Sequence, residues 1–295
     1  MHDPPALRNA ATVILVRDRA EGPYEIFLMR RHRNQAFMGG AFVFPGGRLD
    51  DGDCHPALRD HLFGPAPEAL LERLQEPMLP ESSARGLHLA AVREMFEEAG
   101  VLFAVDISGT VLNFQEPETA RRFAAYREIL HRGEMTLLDL AVREGIRFAL
   151  ELLLPYAHWM TPEIESKRFD TRFFLARLPE GQKAVHDEAE LMASVWMTPA
   201  QALAEHEAGR IVLMPPTLKT VEELRAFRTT DELFRAVAGR AIPPILPQVF
   251  TMGDEFGVKL PFDPEYTLAA FKLPLRPGET SRIVSRKGIW ATATA

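Results

Sequence analysis

One amphipathic segment constrains the fold of this chain more than any other feature. Residues 87–99 (LHLAAVREMFEEA) contain no proline or glycine, and Gly100 follows at the position where helices commonly end. Apolar residues recur at helical spacing within the segment, at Leu89, Val92, Met95 and Phe96. We therefore predict a helix whose apolar face packs onto a sheet.

The opposite face of this predicted helix is acidic. Glu94, Glu97 and Glu98 share one side at 3.6 residues per turn, where like charges repel by roughly a few tenths of a kcal/mol. The face is either solvated or a cation site. The turn at residues 44–47 (FPGG) favours a cation site, because glycines let the backbone approach a ligand and carboxylate oxygens suit Mg²⁺ or Mn²⁺.

Strand-like and helix-like patterns alternate along the rest of the chain. Strands are predicted at 9–17, 24–30, 41–44, 101–105, 158–164, 171–178 and 194–198. Helices are predicted at 117–154, in two pieces broken near Gly133, and at 199–208, 217–227 and 230–237. This interleaving favours a layered α/β domain over a bundle or a sandwich.

We expect a single domain over residues 1–295 with two additions. Residues 54–86 carry five prolines around a short helical stretch, which indicates an insert. Residues 210–295 form a C-terminal extension. It is helical at first and then, from Pro243, proline-rich and irregular, with short strands at best.

Composition argues against several classes of function. The net charge of −7 argues against a nucleic-acid partner, which needs clustered Lys and Arg. No apolar stretch approaches the ~18 residues needed to cross a membrane, so no membrane partner is expected. A single cysteine, Cys54, and an N-terminus unlike a signal peptide favour a reducing, cytoplasmic compartment. The oligomeric state stays open, with a homodimer among the alternatives.

A specific motif lies within the predicted acidic helix. Residues 93–101 (REMFEEAGV) match every defined position of the second half of the Nudix box, REUXEEXGU, where U is aliphatic. Gly47 matches the glycine that opens the first half, but Asp53 stands where the family has Glu. Residues 54–92 separate Asp53 from Arg93, and this separation is 32 residues longer than the one in the family. The chain therefore resembles Nudix hydrolases of the coenzyme A diphosphatase branch, whose box is also split by an insert.

The resemblance implies an α/β/α sandwich with a mixed sheet and a divalent metal cofactor, Mg²⁺ or Mn²⁺. Glu97 and Glu98 would ligate the metal, and Glu94 would be a further ligand or polarise the attacking water. The Gly47 carbonyl would complete the metal shell. Arg93 would pair with carboxylates of its own helix and fix their positions. Asp53 is a weaker candidate for the general base, since a shorter acid at this position also fits a turn or cap residue.

The remaining candidate residues each have two interpretations. The family places its general base on a loop before a late strand, where Glu190 fits first and Glu188 second; both also fit a solvated loop. Arg30, Arg31 and Arg33 either bind substrate phosphate or form a solvated basic edge. Three aromatic residues either stack on an adenine ring or belong to the core. They are Trp159, Phe173 and Phe174.

The resemblance implies hydrolysis of a small-molecule nucleoside diphosphate linked to another moiety. Coenzyme A or acyl-CoA is the first expectation, giving 3′,5′-ADP and (acyl-)phosphopantetheine. A diphosphatase for ADP-ribose, dinucleotides or nucleotide sugars would use the same carboxylates. The alternative of another class is a nucleotide-sensing, non-catalytic protein, and three mutually repelling acids count against it. The choice of substrate rests on resemblance alone.

Overall fold

The computed structural model describes residues 5–31, 40–185, 191–252, 255–286 and 288–295. In these ranges the strands are β1 (Arg8–Arg17), β2 (Glu25–Arg31), β3 (Phe42–Val43), β4 (Gly46–Arg48), β5 (Leu62–Phe63), β6 (Ala104–Val105), β7 (Arg147–Ala149), β8 (Leu154–Met160), β9 (Phe169–Arg177), β10 (Leu191–Met197), β11 (Pro244–Ile245), β12 (Gln248–Met252), β13 (Glu255–Lys259), β14 (Arg282–Arg286) and β15 (Ile289–Ala293). The α-helices are α1 (Ala69–Leu74), α2 (Glu81–Ala99), α3 (Pro117–His131), α4 (Leu137–Glu144), α5 (Pro199–Glu207), α6 (Pro215–Leu224) and α7 (Thr230–Val237). Short 3₁₀ helices lie at Asp51–Cys54, Pro56–His61, Leu150–Leu152 and Ala269–Phe271.

Strand β1 is central to the main mixed sheet. The strand order is β10-β2-β1-β9-β8-β11, with β3 paired to β2 and β4 paired to β1. β1 runs parallel to β9 over its whole length and antiparallel to β2 and β4 on its other side. Because both faces of β1 are covered, its sequence is a near-continuous apolar run without polar alternation.

Each face of this sheet is covered by its own apolar core. On one face, odd-numbered residues of β1 such as Val13 and Leu15 pack with α2. On the other, Ile14 and Val16 pack with residues of α6, α7 and the C-terminal strands. The predicted layered α/β/α arrangement is confirmed, with the C-terminal strands adding to one outer layer.

Helix α2 is longer than predicted. It begins at Glu81, six residues before the predicted start, and ends as predicted at Gly100, which adopts a left-handed φ of 70°. Gly86 lies within the additional turns, where a Cβ would stand 2.6 Å from the Cys54 sulfur. The insert and α2 therefore pack more closely than a side chain at residue 86 would allow.

The insert forms part of the core. Three of its leucines are buried against α2 and its neighbours: Leu58, Leu70 and Leu74. Arg73 donates to the carbonyls of Leu150 and Leu153 at 3.2 and 2.7 Å. Glu76 accepts two hydrogen bonds from the Arg172 guanidinium of β9, at 2.8 and 2.5 Å. These contacts hold the insert to β9 of the main sheet and to the 3₁₀ turn between β7 and β8.

Several predicted elements have different boundaries. The helix expected to reach residue 154 ends at Glu144, because Gly145 turns the chain with a left-handed φ of 63°. The apolar residues that follow form β7, a 3₁₀ turn and β8. The strand predicted at 101–105 is paired only at Ala104–Val105, and the helix predicted at 217–227 is Pro215–Leu224. A short apolar run in the sequence does not by itself distinguish a helix from a strand or a turn.

The C-terminal extension is more ordered than predicted. Its strands are short, as expected, but four of them form an antiparallel sheet in the order β12-β13-β14-β15. Buried Lys219 of α6 donates to Glu222 and Thr280, each at 2.8 Å, and Thr292 of β15 donates to Glu222 at 2.8 Å. This polar cluster fixes the sheet to α6. Separately, none of the described helices has the length and hydropathy needed to cross a membrane.

Buried His88 gives a testable pH dependence of stability. Its Nδ1 donates to the Ala84 carbonyl at 2.8 Å, and burial lowers its pKa from 6.5 to about 4. The unfolded chain therefore takes up this proton more readily, and stability is lost as pH falls from 6.5 towards 4. Two to three pKa units correspond to about 3 kcal/mol. We expect His88→Leu to lose this part of the acid sensitivity in urea unfolding across that pH range.

The control is His61→Leu, which alters a histidine that is not fully buried. It should keep the wild-type pH dependence. An unchanged pH profile for His88→Leu would contradict the assignment to His88.

Candidate active site

Helix α2 and strand β4 place the predicted acidic residues beside the glycine turn. The Gly46 amide donates to Glu98 Oε2 at 2.8 Å. A Cβ at Gly46 would stand 2.3 Å from the Ala11 carbonyl oxygen of β1, and one at Gly47 would stand 2.3 Å from Glu94 Oε1. Only glycine fits at position 46, where the backbone of β1 leaves no space, whereas a side chain at position 47 would have to displace the Glu94 carboxylate.

Arg93 is the centre of the charged cluster. Its guanidinium donates to both carboxylate oxygens of Asp53 at 2.9 and 3.0 Å, to Glu94 at 2.8 Å and to Glu97 at 3.3 Å. It also donates to the Arg48 carbonyl at 2.9 Å. Burial alone would lower the pKa of Arg93, but the surrounding carboxylates outweigh it and raise that pKa. The pairing predicted between Arg93 and acids of its own helix is therefore present.

Asp53 has a larger part in this cluster than predicted. The Asp50 amide donates to its side chain at 3.0 Å, so the expected capping role is present. The same carboxylate is only 2 % exposed and holds Arg93 by two hydrogen bonds. The shorter acid suffices because the 3₁₀ helix Asp51–Cys54 packs directly against α2.

When Asp53, Glu94 and Glu97 are all ionised, they carry more negative charge than Arg93 balances. Burial raises the pKa of Asp53 and Glu94, although Arg93 opposes the shift. Burial likewise raises the pKa of Glu97 to about 8. A divalent cation would offset this excess charge, and carboxylate oxygens are suitable ligands for it.

The end of α2 is held by a residue that sequence reasoning missed. Arg127 of α3 donates to the carbonyls of Glu97 and Glu98, both at 2.8 Å. These carbonyls lie in the last turn of α2, where they have no partner within the helix. Arg127 therefore fixes the backbone that carries the acidic residues.

A cavity of about 630 Å³ opens beside this cluster. Four of the predicted site residues line it: Gly47, Glu94, Glu98 and Arg31. Arg30, Arg93 and Glu97 are not among its lining residues. Glu190, Glu188 and Arg33 lie outside the described residues. Of the three aromatic candidates, Trp159 and Phe173 line the cavity, whereas Phe174 packs against His88 in the core.

The cavity also contains residues that the sequence did not single out. Arg48 and Lys167 add positive charge, while Phe256 and Trp290 come from the C-terminal sheet. Lys167 lies in the segment between β8 and β9. No local signal marks Phe256 or Trp290, because their position depends on how the tail folds back.

The predicted metal ligands are not gathered around a single point. Among the described residues, no three or more His, Cys, Asp or Glu side chains form a group that could hold a metal ion. Glu94 and Glu97 turn towards Arg93, and Glu98 accepts from Gly46. Of the predicted ligands, Glu94, Glu98 and Gly47 line the cavity, and Glu97 does not.

The layered fold, the split box and the acidic helix beside β4 define the class of this protein. It is a Nudix hydrolase. The crystal structure of a Nudix hydrolase from Alicyclobacillus acidocaldarius superposes with a TM-score of 0.62 at 26% sequence identity. The match covers 81% of this chain and 99% of that one.

More narrowly, the NUDT19 Nudix domain family matches residues 7–224, and the chain belongs to that family. The acyl-coenzyme A diphosphatase NUDT19 of Homo sapiens is 29% identical over 281 residues, covering 84% of this chain and 73% of that protein. The Xenopus laevis protein of the same name is 25% identical over 244 residues. That match covers 74% of this chain and 64% of the Xenopus protein.

The close approach of Gly47 to Glu94 gives a prediction for activity. In Gly47→Ala the new Cβ overlaps the Glu94 carboxylate and must displace it. Displacing a reacting group by ~1 Å can cost about 100-fold, so we expect hydrolase turnover to fall by roughly tenfold to 100-fold. Steady-state kinetics and a thermal melt would measure the activity and the folding.

Gly52→Ala is the matched control, because nothing lies within 4 Å of a Cβ at that position. It should leave turnover unchanged. Full activity in a folded Gly47→Ala protein would show that the position of Glu94 does not matter for the reaction.

Proposed function

We propose that this protein hydrolyses the diphosphate bond of coenzyme A and acyl-CoA, releasing 3′,5′-ADP and (acyl-)phosphopantetheine. The observation that carries the proposal is the cavity in which Glu94 and Glu98 face basic and apolar residues together. Such a cavity suits a ligand with a charged diphosphate and a long, less polar arm. The names of the Xenopus and human relatives support the same substrate.

The proposal includes a divalent cation, Mg²⁺ or Mn²⁺. Glu94 and Glu98 would hold it, with the Gly47 carbonyl completing the set. Glu97 contacts Arg93 at 3.3 Å and does not line the cavity, so its side chain would have to turn towards the cavity to join them. When bound, the cation neutralises diphosphate oxygens and lowers the pKa of a bound water.

The chain's own residues position the reacting groups. Arg93, held by Asp53, keeps Glu94 in place, and the Gly46 amide keeps Glu98 in place. Arg31, Arg48 and Lys167 line the cavity as cations for the phosphate oxygens. Water adds its oxygen to one phosphorus as the bond from that phosphorus to the bridging oxygen breaks. The bridging oxygen leaves with the other phosphate, and the water gives up a proton.

We propose Glu190 as the acceptor of that proton, with Glu188 as second choice. Glu190 lies outside the described residues, so the support comes from its neighbour in sequence. The backbone of Leu191 pairs with that of Arg31, and Arg31 lines the cavity. The cytoplasmic compartment is also a proposal, and it rests on the composition of the sequence.

Removing the charge of Glu98 tests the metal assignment. In Glu98→Gln a side-chain oxygen can still accept from the Gly46 amide, so folding should be retained. The anionic ligand is lost, and we expect turnover with Mg²⁺ to fall by about 100-fold or more. Initial rates over a range of Mg²⁺ concentration would separate weaker metal binding from a lower maximal rate.

Glu81→Gln is the control on the same helix, because Glu81 lies in the first turn of α2 and contacts Arg85. Its rate should equal that of the wild type. Near-normal turnover of Glu98→Gln would reject Glu98 as a metal ligand.

A substrate panel tests the function itself. We expect coenzyme A and acyl-CoA to be cleaved with Mg²⁺ or Mn²⁺, with 3′,5′-ADP identified by chromatography, and ADP-ribose and nucleotide sugars to be cleaved more slowly. Cleavage of ADP-ribose with coenzyme A untouched would favour the alternative diphosphatase. Nucleotide binding without cleavage of any diphosphate would favour the non-catalytic sensing protein.

A further inference from the structure

The C-terminal sheet presents one face to the active-site cavity. Phe256 of β13 pairs with Ser285 of β14, and Ser285 pairs with Trp290 of β15, so the three residues share a face. Val249 of β12 pairs with Val258 of β13 on that same face. Four of these five residues line the cavity: Val249, Phe256, Val258 and Trp290. They form a continuous apolar wall, which we call the tail wall.

The tail wall leaves apolar surface uncovered inside the cavity. Phe256 is 37% exposed although its ring packs edge-on against Trp290, with ring centroids 6.0 Å apart. Ile164, from the segment between β8 and β9, also lines the cavity and is 64% exposed. Apolar surface left in water costs about 25 cal/mol per Å², so an apolar ligand covering it would bind favourably.

The tail wall is held in place by buried polar contacts. His206 of α5 is 2% exposed, and its Nδ1 accepts from the Leu213 amide at 3.1 Å. The proton must then be on Nε2, which donates to the Trp290 carbonyl at 2.7 Å. Thr292 is bonded to Glu222 of α6 two residues further along β15. The wall is therefore a fixed surface of the cavity.

The chemistry of the tail wall indicates which end of an acyl-CoA it contacts, the adenine ring or the acyl chain. An adenine ring presents hydrogen-bonding edges that need polar partners. Apart from the Trp290 indole N–H, the tail wall offers carbon surface. Val249 and Val258 add no ring on which a base can stack, so the wall as a whole suits an aliphatic chain. The carboxylates Glu94 and Glu98 belong to the same cavity, so a chain on the wall and a diphosphate at α2 fit one ligand.

We propose that the tail wall is the subsite for the acyl chain, so that the C-terminal sheet determines preference for acyl-CoA over free coenzyme A. This inference rests on the proposed function and extends it to a specificity determinant outside the residues 7–224 matched by the family.

Phe256→Ala tests the proposal in the full chain. Truncating the ring removes apolar contact area from the wall, and we expect the KM for octanoyl-CoA to rise by about tenfold. The kcat for octanoyl-CoA and both constants for free coenzyme A should stay within about twofold, because the reacting groups on α2 are unchanged. Acetyl-CoA, with a two-carbon chain, should resemble free coenzyme A.

Phe250→Ala is the matched control. Phe250 lies on the same sheet but pairs with Gly257, so it faces away from the wall, and the cations of Lys259 and Arg282 lie over its ring. It should not change the preference for chain length. Trp290→Leu is a second wall variant and should shift the KM for octanoyl-CoA in the same direction as Phe256→Ala. Thermal melts would confirm folding of all three.

Calorimetric titration with EDTA present separates this proposal from the proposed function. Octanoyl-CoA binding tighter than coenzyme A binding, with the difference lost in Phe256→Ala, supports the subsite even if no compound is cleaved. An equal loss for octanoyl-CoA and free coenzyme A would assign the wall to another part of the substrate and overturn the proposal. So would an unchanged chain-length preference in folded Phe256→Ala and Trp290→Leu.

Discussion

The ion pair between Arg93 and Asp53 is the interaction on which the site depends. Moving two charges out of water costs several kcal/mol per ion, and only good geometry with further hydrogen bonds offsets that cost. Arg93 meets this condition through Asp53, Glu94, Glu97 and the carbonyl of Arg48. These partners come from three places: the 3₁₀ helix just before the insert, α2 and β4. A single guanidinium therefore fixes the separated halves of the motif against each other.

This arrangement divides the acidic residues between two tasks. Asp53 and Glu97 contact Arg93 and do not line the cavity, Glu98 lines the cavity, and Glu94 does both. The close packing of β4 also explains its glycines: a Cβ at Gly47 would overlap the Glu94 carboxylate, and one at Gly46 would overlap the Ala11 carbonyl of β1. Arg127 completes the frame by holding the last carbonyls of α2 from α3.

The features that could be predicted from the sequence depend on residues close together in the chain or on the family motif. The acidic helix, its end at Gly100, the contact of Arg93 with its own helix and the layered fold all follow from residues 87–101 and the strand patterns. The predicted start of α2 was wrong because Pro80 and Gly86, at the two ends of its first turns, are residues typical of loops. Arg127, Phe256 and Trp290 could not be predicted, since their contacts with the site arise from tertiary packing of distant segments. The order of the C-terminal sheet was missed for the same reason.

The start of α2 at Glu81 affects how the insert and the helix unfold locally. The insert and the catalytic helix share continuous backbone hydrogen bonds, and Gly86 packs against Cys54 with no space for a side chain. Local unfolding of the insert would therefore fray the helix, and we expect the two to exchange their amide hydrogens as one cooperative unit. Residues 54–86 separate the motif in sequence, yet excising them would also remove the first turns of α2. In this protein the insertion has become a structural requirement of the site it interrupts.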